Sequence, residues 1–405
     1  MFLRKFTIAA ACSMLLFVPS ISVNAATFSD GEISQVQHFQ KEYADLDKTS
    51  YDINNLYEVK PQLGANFSAG KIKQQYITTQ LAYINYYRGL FGLPAIKTNA
   101  IANSNAQKTA AVMAAINADP FVNQHGLPTD MQPNYISDSL WKLAQDTSET
   151  SNLNFNVANQ SAGDVITDLI TDHYNLTGTD TGHRAWILST RLSSTGIGAA
   201  YGSNGYRYSV QKVLNVDDIF RVASQASVAY PSAGVFPVEL AKGKNVAWSL
   251  YLSNKIYSGT PKVKITDMDT KKTYQATKVK NYSQNGYGNF KTVITYMPGK
   301  TPIISGHQYK IVIGNLYSYT FKLFKEDTST TKEVTTTTGS TYQKGAVQQD
   351  SHLKSPFAKT NAKLWASFNI NVKNSKTEHY FFDALKKGQW HQNFFLKRVL
   401  QVISK

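Results

Sequence analysis

From Gln75 to Phe91 the apolar side chains Leu81, Ile84, Tyr87 and Leu90 return at three-residue steps, and Tyr76 extends the stripe until Gly92 and Pro94 stop it. That spacing predicts an amphipathic helix. Thr98 is placed to cap a second helix, in which Ala102, Ala106, Ala110 and Ala114 share a face of small residues that admits a close neighbour. A third helical stretch runs from Ala162 to Tyr174, with Val165, Ile166, Leu169 and Ile170 apolar. Its aspartates Asp164, Asp168 and Asp172 stand four residues apart and read as a solvated face. After Gly196-Ile197-Gly198 the period shortens to two, as Tyr206, Tyr208 and Val210 alternate with polar residues and lead into Lys212. Between Val246 and Phe324, short runs such as Trp248 to Leu252, Lys262 to Ile265 and Tyr309 to Ile313 are separated by Gly, Pro, Asn and Asp turns. They predict a small antiparallel sandwich, so the chain as a whole is α+β.

Composition sharpens this picture. With 42% hydrophobic and 17% charged residues, the 405-residue chain is neither a disordered tail nor a multi-span membrane protein, and its length suits two or three domains. The formal charge of +15 is unevenly spread: net −4 over residues 26–69, +1 over 70–215, +11 over 231–325 and +8 over 343–405. A Thr/Ser-rich run from Thr328 to Thr341 separates the two basic pieces and reads as an extended linker. Arg4 and Lys5, the apolar stretch Phe6 to Val18 and the small-residue site Val23-Asn24-Ala25 predict an export signal cleaved after Ala25. The single cysteine, Cys12, lies inside that leader with the apolar stretch continuing past it, so lipidation is not expected and the mature chain has no disulfide. Export without cysteines suits a Gram-positive surface. Nothing after the leader reaches the length of a membrane span.

The chemistry concentrates in Gly182-His183-Arg184-Ala185-Trp186-Ile187-Leu188, where a histidine behind glycine opens an apolar element. Imidazole is a common metal ligand and titrates near neutrality, yet a lone histidine in such a place also serves as a structural hydrogen-bonder. There is no G-x-S-x-G elbow, no H-E-x-x-H, no phosphate-binding glycine loop and no C-x-x-C.

Three blocks in order carry a family resemblance: Asn85-Tyr86-Tyr87-Arg88 with Gly92-Leu93-Pro94; the Ala-rich helix ending before His125-Gly126; and Gly182-His183-Arg184 with Ile187-Leu188 and Gly196-Ile197-Gly198. Residues 75–214 thereby resemble the CAP/SCP domain of cysteine-rich secretory proteins, antigen 5 and pathogenesis-related proteins, in its cysteine-free bacterial branch. The resemblance implies an α-β-α sandwich with a groove holding two histidines and two acids, in some members a divalent-metal site. The histidines fall on His125 and His183, and one acid on Asp172. The second acid is replaced: Ser151 stands before Asn152-Leu153 where the family has Glu, with Glu149 close enough in sequence to substitute. The implied groove residues are His125, His183, Asp172, Ser151 and Arg184, and the implied metal ligands, for an ion such as zinc, are His125, His183 and Asp172. Alternatively, these residues form a buried polar network joining helices to sheet, and Arg184 pairs within it. A Ser151-His125-Asp172 hydrolytic grouping can be written, without a visible oxyanion hole.

Downstream, Tyr230 to Pro237 and the Trp248 strand resemble the junction and immunoglobulin-like module that follow this domain in bacterial surface proteins. The expected organisation is a leader (1–25), an acidic lead segment (26–69), a CAP/SCP domain (70–215), a β-sandwich (230–325), a linker (326–342) and a basic C-terminal segment (343–405). The expected function is non-enzymatic binding of a small ligand or host protein in the groove of a secreted surface protein, no catalytic residue being assigned. The lysine-rich half would hold anionic wall polymers rather than nucleic acid. The alternative is a metal-dependent hydrolase acting on peptide or wall material.

Overall fold

A capping box opens the first helix, α1 (Asp30–Asp45): the Glu32 amide donates to Ser29 Oγ at 3.3 Å and the Ser29 amide to Glu32 Oε2 at 2.8 Å. The computed structural model describes residues 26–127, 131–157, 159–175, 178–327, 365–371 and 377–383. Three short strands follow α1, β1 (Ser50–Tyr51), β2 (Tyr57–Val59) and β3 (Lys71–Ile72). The next elements are α2 (Gln74–Leu90), β4 (Lys97–Thr98), α3 (Ala100–Ala115), α4 (Asp138–Glu149), β5 (Ser151–Asn156), β6 (Gln160–Ser161), α5 (Ala162–Thr171), α6 (Gly182–Ile187), β7 (Ser194–Tyr201) and β8 (Arg207–Lys212).

The strands β4, β7, β8 and β5 form one sheet in that order, with only the β4–β7 pair parallel. α3 lies tightly on one face because β7 presents glycines there. A Cβ on Gly196 would come 2.4 Å from the Ala102 backbone, and one on Gly198 2.2 Å from Ala106. The expected alanine face is thus the contact. The cap of α3 is one residue later than expected: Asn99 Oδ1 accepts from the Ile101 and Ala102 amides, while Thr98 is spent in β4. On the opposite face Ile197 and Ala199 join the core with α2 and α5, completing an α-β-α layering.

After α7 (Val216–Ile219) come β9 (Ser227–Tyr230), β10 (Gly234–Pro237), α8 (Val238–Ala241), β11 (Trp248–Leu252), β12 (Val263–Asp267), β13 (Thr273–Gln275), β14 (Thr277–Asn281), β15 (Thr292–Met297), β16 (Gln308–Ile313) and β17 (Tyr317–Phe324). They build two sheets, β10-β17-β16-β12-β13 and β14-β15-β11-β9, whose facing rings include Trp248 and Phe321, centroids 5.5 Å apart. The expectation of a purely antiparallel sandwich needs one correction, since β10 runs parallel to β17. β18 (Trp365–Asn371) and β19 (Thr377–Asp383) pair antiparallel within the basic C-terminal segment. The leader and the threonine run lie outside the described residues.

The two halves are not beads on a string. One buried apolar cluster runs from Tyr76 and Leu169 through Ala185 to Tyr230, Trp248 and Phe321. The lead segment braces both halves. Lys322 Nζ donates to Glu32 Oε2 and Thr27 O, each at 2.7 Å, while Tyr43 of α1 packs on Tyr86 of α2. Gly288, at φ +62°, lies so close to α6 that a Cβ would stand 2.2 Å from Ala185 O. Gly288→Ala is therefore expected to destabilise by more than about 2 kcal/mol in chemical denaturation, against about 1 kcal/mol for Gly205→Ala, whose φ is also positive but whose surroundings are open. Equal losses would show that the seam relaxes without cost.

Candidate functional site

His183 opens α6, and its position is set by residues held in rarely adopted backbone conformations. Asp172 ends α5 at φ 58° and Thr181 precedes α6 at φ 55°, an unusual place for a β-branched residue. The sandwich supplies the force that holds Thr181 there: its Oγ1 lies 2.7 Å from Tyr251 Oη, and Tyr251 Oη also donates to the Thr181 carbonyl at 3.3 Å. Tyr287 Oη donates to Asp180 Oδ2 at 2.9 Å. Such strain marks a site when its surroundings over-determine it, as here.

The His183 imidazole is fully buried, and its Nδ1 lies 2.8 Å from Asp172 Oδ1. Asp172 is engaged further: Oδ1 accepts from Asn175 Nδ2 at 3.1 Å and Oδ2 from the Arg184 amide at 3.3 Å. Asp172 is the acceptor that orients the ring. His125, 9% exposed, bonds through Nδ1 to the Ser148 carbonyl at 2.8 Å, at the end of α4. Four residues on, Asn152 Nδ2 donates to the His183 carbonyl at 3.2 Å. Both histidines are thus fastened to the corner between α4 and β5. Ser151 lies in that corner, but its hydroxyl donates to Thr147 O at 2.6 Å and is buried. Glu149 reaches the His125 loop, its Oε2 lying 3.2 Å from where a Gly126 Cβ would sit.

Two expectations are corrected. Arg184 does not line a groove. Its Nε donates to Ile170 O and its terminal nitrogens to Thr171 O and Ala247 O, each at 2.6 Å, and its Cζ lies 3.6 Å from the Tyr230 ring centroid. It neutralises the carbonyl end of α5 and ties that helix to the sandwich. The aspartate row is not a solvated face either: Asp164 is exposed and closes the capping box of α5 by accepting from the Ser161 amide, whereas Asp168 and Asp172 are buried. Asp168 Oδ2 accepts from Gln160 Nε2 at 2.9 Å and Asn154 Nδ2 at 3.4 Å.

A divalent metal, which the resemblance implies for some members, does not fit the donors present. Asp172 is engaged by three donors, Ser151 stands where a carboxylate would be, and among the described residues the ligand atoms of His125, His183 and Asp172 do not gather within 4.8 Å of one another. Zinc takes four ligands, or three with a water. Among the described residues, the His/Asp/Glu group whose ligand atoms fall within 4.8 Å of one another is Asp267, Asp269 and His307, in the sandwich. There Asp267 accepts from the Asp269 and Thr270 amides and from His307 Nδ1 at 3.0 Å, and Asp269 accepts from the Gln308 amide. Burial pushes the Asp267 carboxyl up, but these hydrogen bonds outweigh it and hold the group below its ordinary range. The trio staples the turn between β12 and β13 to β16.

The sequence reading missed a buried polar row. Asn152, Asn154 and Asn156 alternate along β5, and the register sets them opposite Gln211, Ser209 and Arg207 of β8. All six are at most 4% exposed. Asn152 Oδ1, Asn154 Oδ1, Ser209 Oγ and Gln211 Nε2 find no hydrogen-bond partner among the described residues. The period-two asparagines in Ser151-Asn152-Leu153-Asn154-Phe155-Asn156 were the available signal. Buried groups with unmet hydrogen bonds are costly, and a native chain keeps them for a bound water or ion, a strained conformation or a functional role.

Residues 81–213 match the family model of the cysteine-rich secretory protein family, CAP. No curated protein matches the chain. Both histidines, Asp172, Ser151 and the polar row lie inside the matched span.

Proposed function

We propose that this chain, with a CAP domain over residues 81–213, is a secreted bacterial surface protein that binds rather than transforms its ligand. The observation that carries this reading is the buried polar row Asn152, Asn154, Ser209 and Gln211, whose first member holds the backbone carbonyl of a His183 that Asp172 orients through its ring. Recognition uses such groups; hydrolysis needs an activated nucleophile or a metal-bound water, and the Ser151 hydroxyl and the Arg184 guanidinium are both committed to backbone carbonyls. The ligand is a small molecule or a host protein. The two-sheet module, which we read as immunoglobulin-like, braces α6 and so stiffens the site from behind.

The fourteen lysines and three acids of residues 231–325, with the basic C-terminal segment, support association with anionic polymers of the Gram-positive envelope. Pull-down on isolated cell walls should weaken steeply as salt rises past the point where the screening length falls below about 8 Å; retention unchanged at high salt removes electrostatics as the cause. Isothermal titration with zinc addresses the catalytic question. Wild type and His183→Ala are expected to take up zinc equally, any uptake at Asp267, Asp269 and His307 being common to both. Uptake that depends on His183 would restore the metal-dependent hydrolase.

A further inference from the structure

Arg191 rivets three loops together at the seam between the CAP domain and the sandwich. Its Nε donates to Arg221 O at 3.0 Å, and its terminal nitrogens to Asn254 Oδ1 at 2.9 Å and Asn289 O at 3.2 Å. The Ser253 amide donates to Ala226 O at 2.9 Å, so the loop after α7 runs beside the loop after β11. Lys291 and Lys255 belong to the same surface: the Lys291 amide donates to Leu252 O, and Thr292 Oγ1 to Lys255 O at 2.6 Å. On these adjoining loops stand Val222, 90% exposed, and Ile256, 75% exposed, the two most exposed large hydrophobic side chains among the described residues. Arg221, Lys255 and Lys291 are exposed beside them. The neighbouring acids are Asp217, exposed, and Asp218, which is buried, takes hydrogen bonds from Ser193 and Asn215, and lies with its Oδ1 3.9 Å from Arg221 Nε, so that Arg221 keeps its outward side for a phosphate.

We propose that this seam surface seats on an anionic lipid bilayer, with Val222 and Ile256 entering the boundary between headgroups and acyl chains while Arg221, Lys255 and Lys291 meet the lipid phosphates. Isolated exposed aliphatics need no explanation, but two on adjoining loops held by one guanidinium, with three exposed cations on the same loops, match the chemistry of that boundary. A wall polymer would use the cations and leave the aliphatic tips idle. A second copy of the chain would bring three cations against three in a two-fold contact, which repels. The inference rests on the exported location proposed above only for meeting such a membrane; the surface chemistry is tested without it.

The test is co-sedimentation of the chain from Ala26 to Lys405 with phosphatidylglycerol-containing vesicles and with pure phosphatidylcholine vesicles at physiological salt. Each cation near an anionic surface strengthens binding about fivefold, so a preference of at least tenfold for the anionic vesicles is expected. Val222→Ser with Ile256→Ser keeps every charge and should lose most of the binding, with an unchanged circular dichroism spectrum showing that the variant folds. Since Cys12 lies upstream of Ala26, Val222→Cys carrying a polarity-sensitive dye should shift its emission to the blue on anionic vesicles. Equal binding to both vesicle types, full binding by the double serine variant, or binding without the emission shift would each overturn the proposal. So would a concentration-dependent dimer abolished by the serine variant. None of these outcomes alters the zinc or cell-wall experiments, so the two readings fail separately.

Discussion

Arg184→Ala is expected to cost about 3–5 kcal/mol of folding stability, the range for removing one partner from a buried charged network. The guanidinium is fully buried, donates to the carbonyls of Ile170, Thr171 and Ala247, and stacks on Tyr230. Truncation leaves those carbonyls inside without donors, and it unties α5 and α6 from β11. Arg184→Lys should recover only part of the loss, since one ammonium cannot serve a planar fork or the ring beneath it. Chemical denaturation followed by circular dichroism measures both. A loss under about 1 kcal/mol for alanine would mean that the seam is held by apolar packing alone. The same experiment reads out coupling: with Arg184 intact the CAP domain and the sandwich should unfold in one transition, and with alanine there they should begin to separate.

The second large effect is on pH dependence. Glu326, two residues past the end of β17, is 4% exposed, and Tyr86 Oη donates to its Oε1 at 2.7 Å. Burial pushes its carboxyl up to about 8, with Glu239 and Asp327 adding to the rise and the Tyr86 hydrogen bond and Lys48 opposing it. Glu239, whose Oε2 accepts from the Glu326 amide, is likewise raised by burial. A carboxyl whose folded value lies above its ordinary value of 4.5 holds a proton in the native state that the unfolded chain has released. Its stabilising influence is therefore complete below pH 4.5 and drains away as pH climbs to about 8, an effect on the order of 3–5 kcal/mol over that window. Thermal melts from pH 5 to 9 should show wild type weakening toward the alkaline side, while Glu326→Gln, neutral throughout and able to accept from Tyr86, stays flatter. Parallel curves for the two proteins would place the titration elsewhere. Because Glu326 joins the sandwich to α2, it belongs to the packed body, and the expected linker boundary at residue 326 moves outward past it.

Several features were legible residue by residue. The stripe of Leu81, Ile84, Tyr87 and Leu90 predicted α2 within a residue at each end, and the alanine face of α3 foretold a close neighbour, which Gly196 and Gly198 provide. Both succeed because helix periodicity and side-chain size are local properties. The third helix was read three residues too long, since its end depends on Asp172 adopting φ 58°, which its hydrogen bonds to His183 and Arg184 stabilise from outside the helix. The blocks around His125 and His183 singled out two histidines that the fold fastens to one corner, between α4 and β5, and the polar row on β5 was available in the alternation of asparagines.

By itself, then, the order of residues settled which stretches coil, which extend, where charge accumulates and which histidines deserve notice, because each of those rests on neighbours within a few positions. Only the tertiary structure decided what Asp168, Asp172 and Arg184 face, since a charged side chain reads as solvated until a partner from a distant segment is known. It also made the CAP domain and the sandwich one body, through Tyr251 on Thr181, Gly288 on Ala185 and Arg184 on Ala247. Those contacts join residues about 60 to 100 positions apart, and no local pattern encodes a distance of that kind; it emerges when two surfaces exclude water from between them.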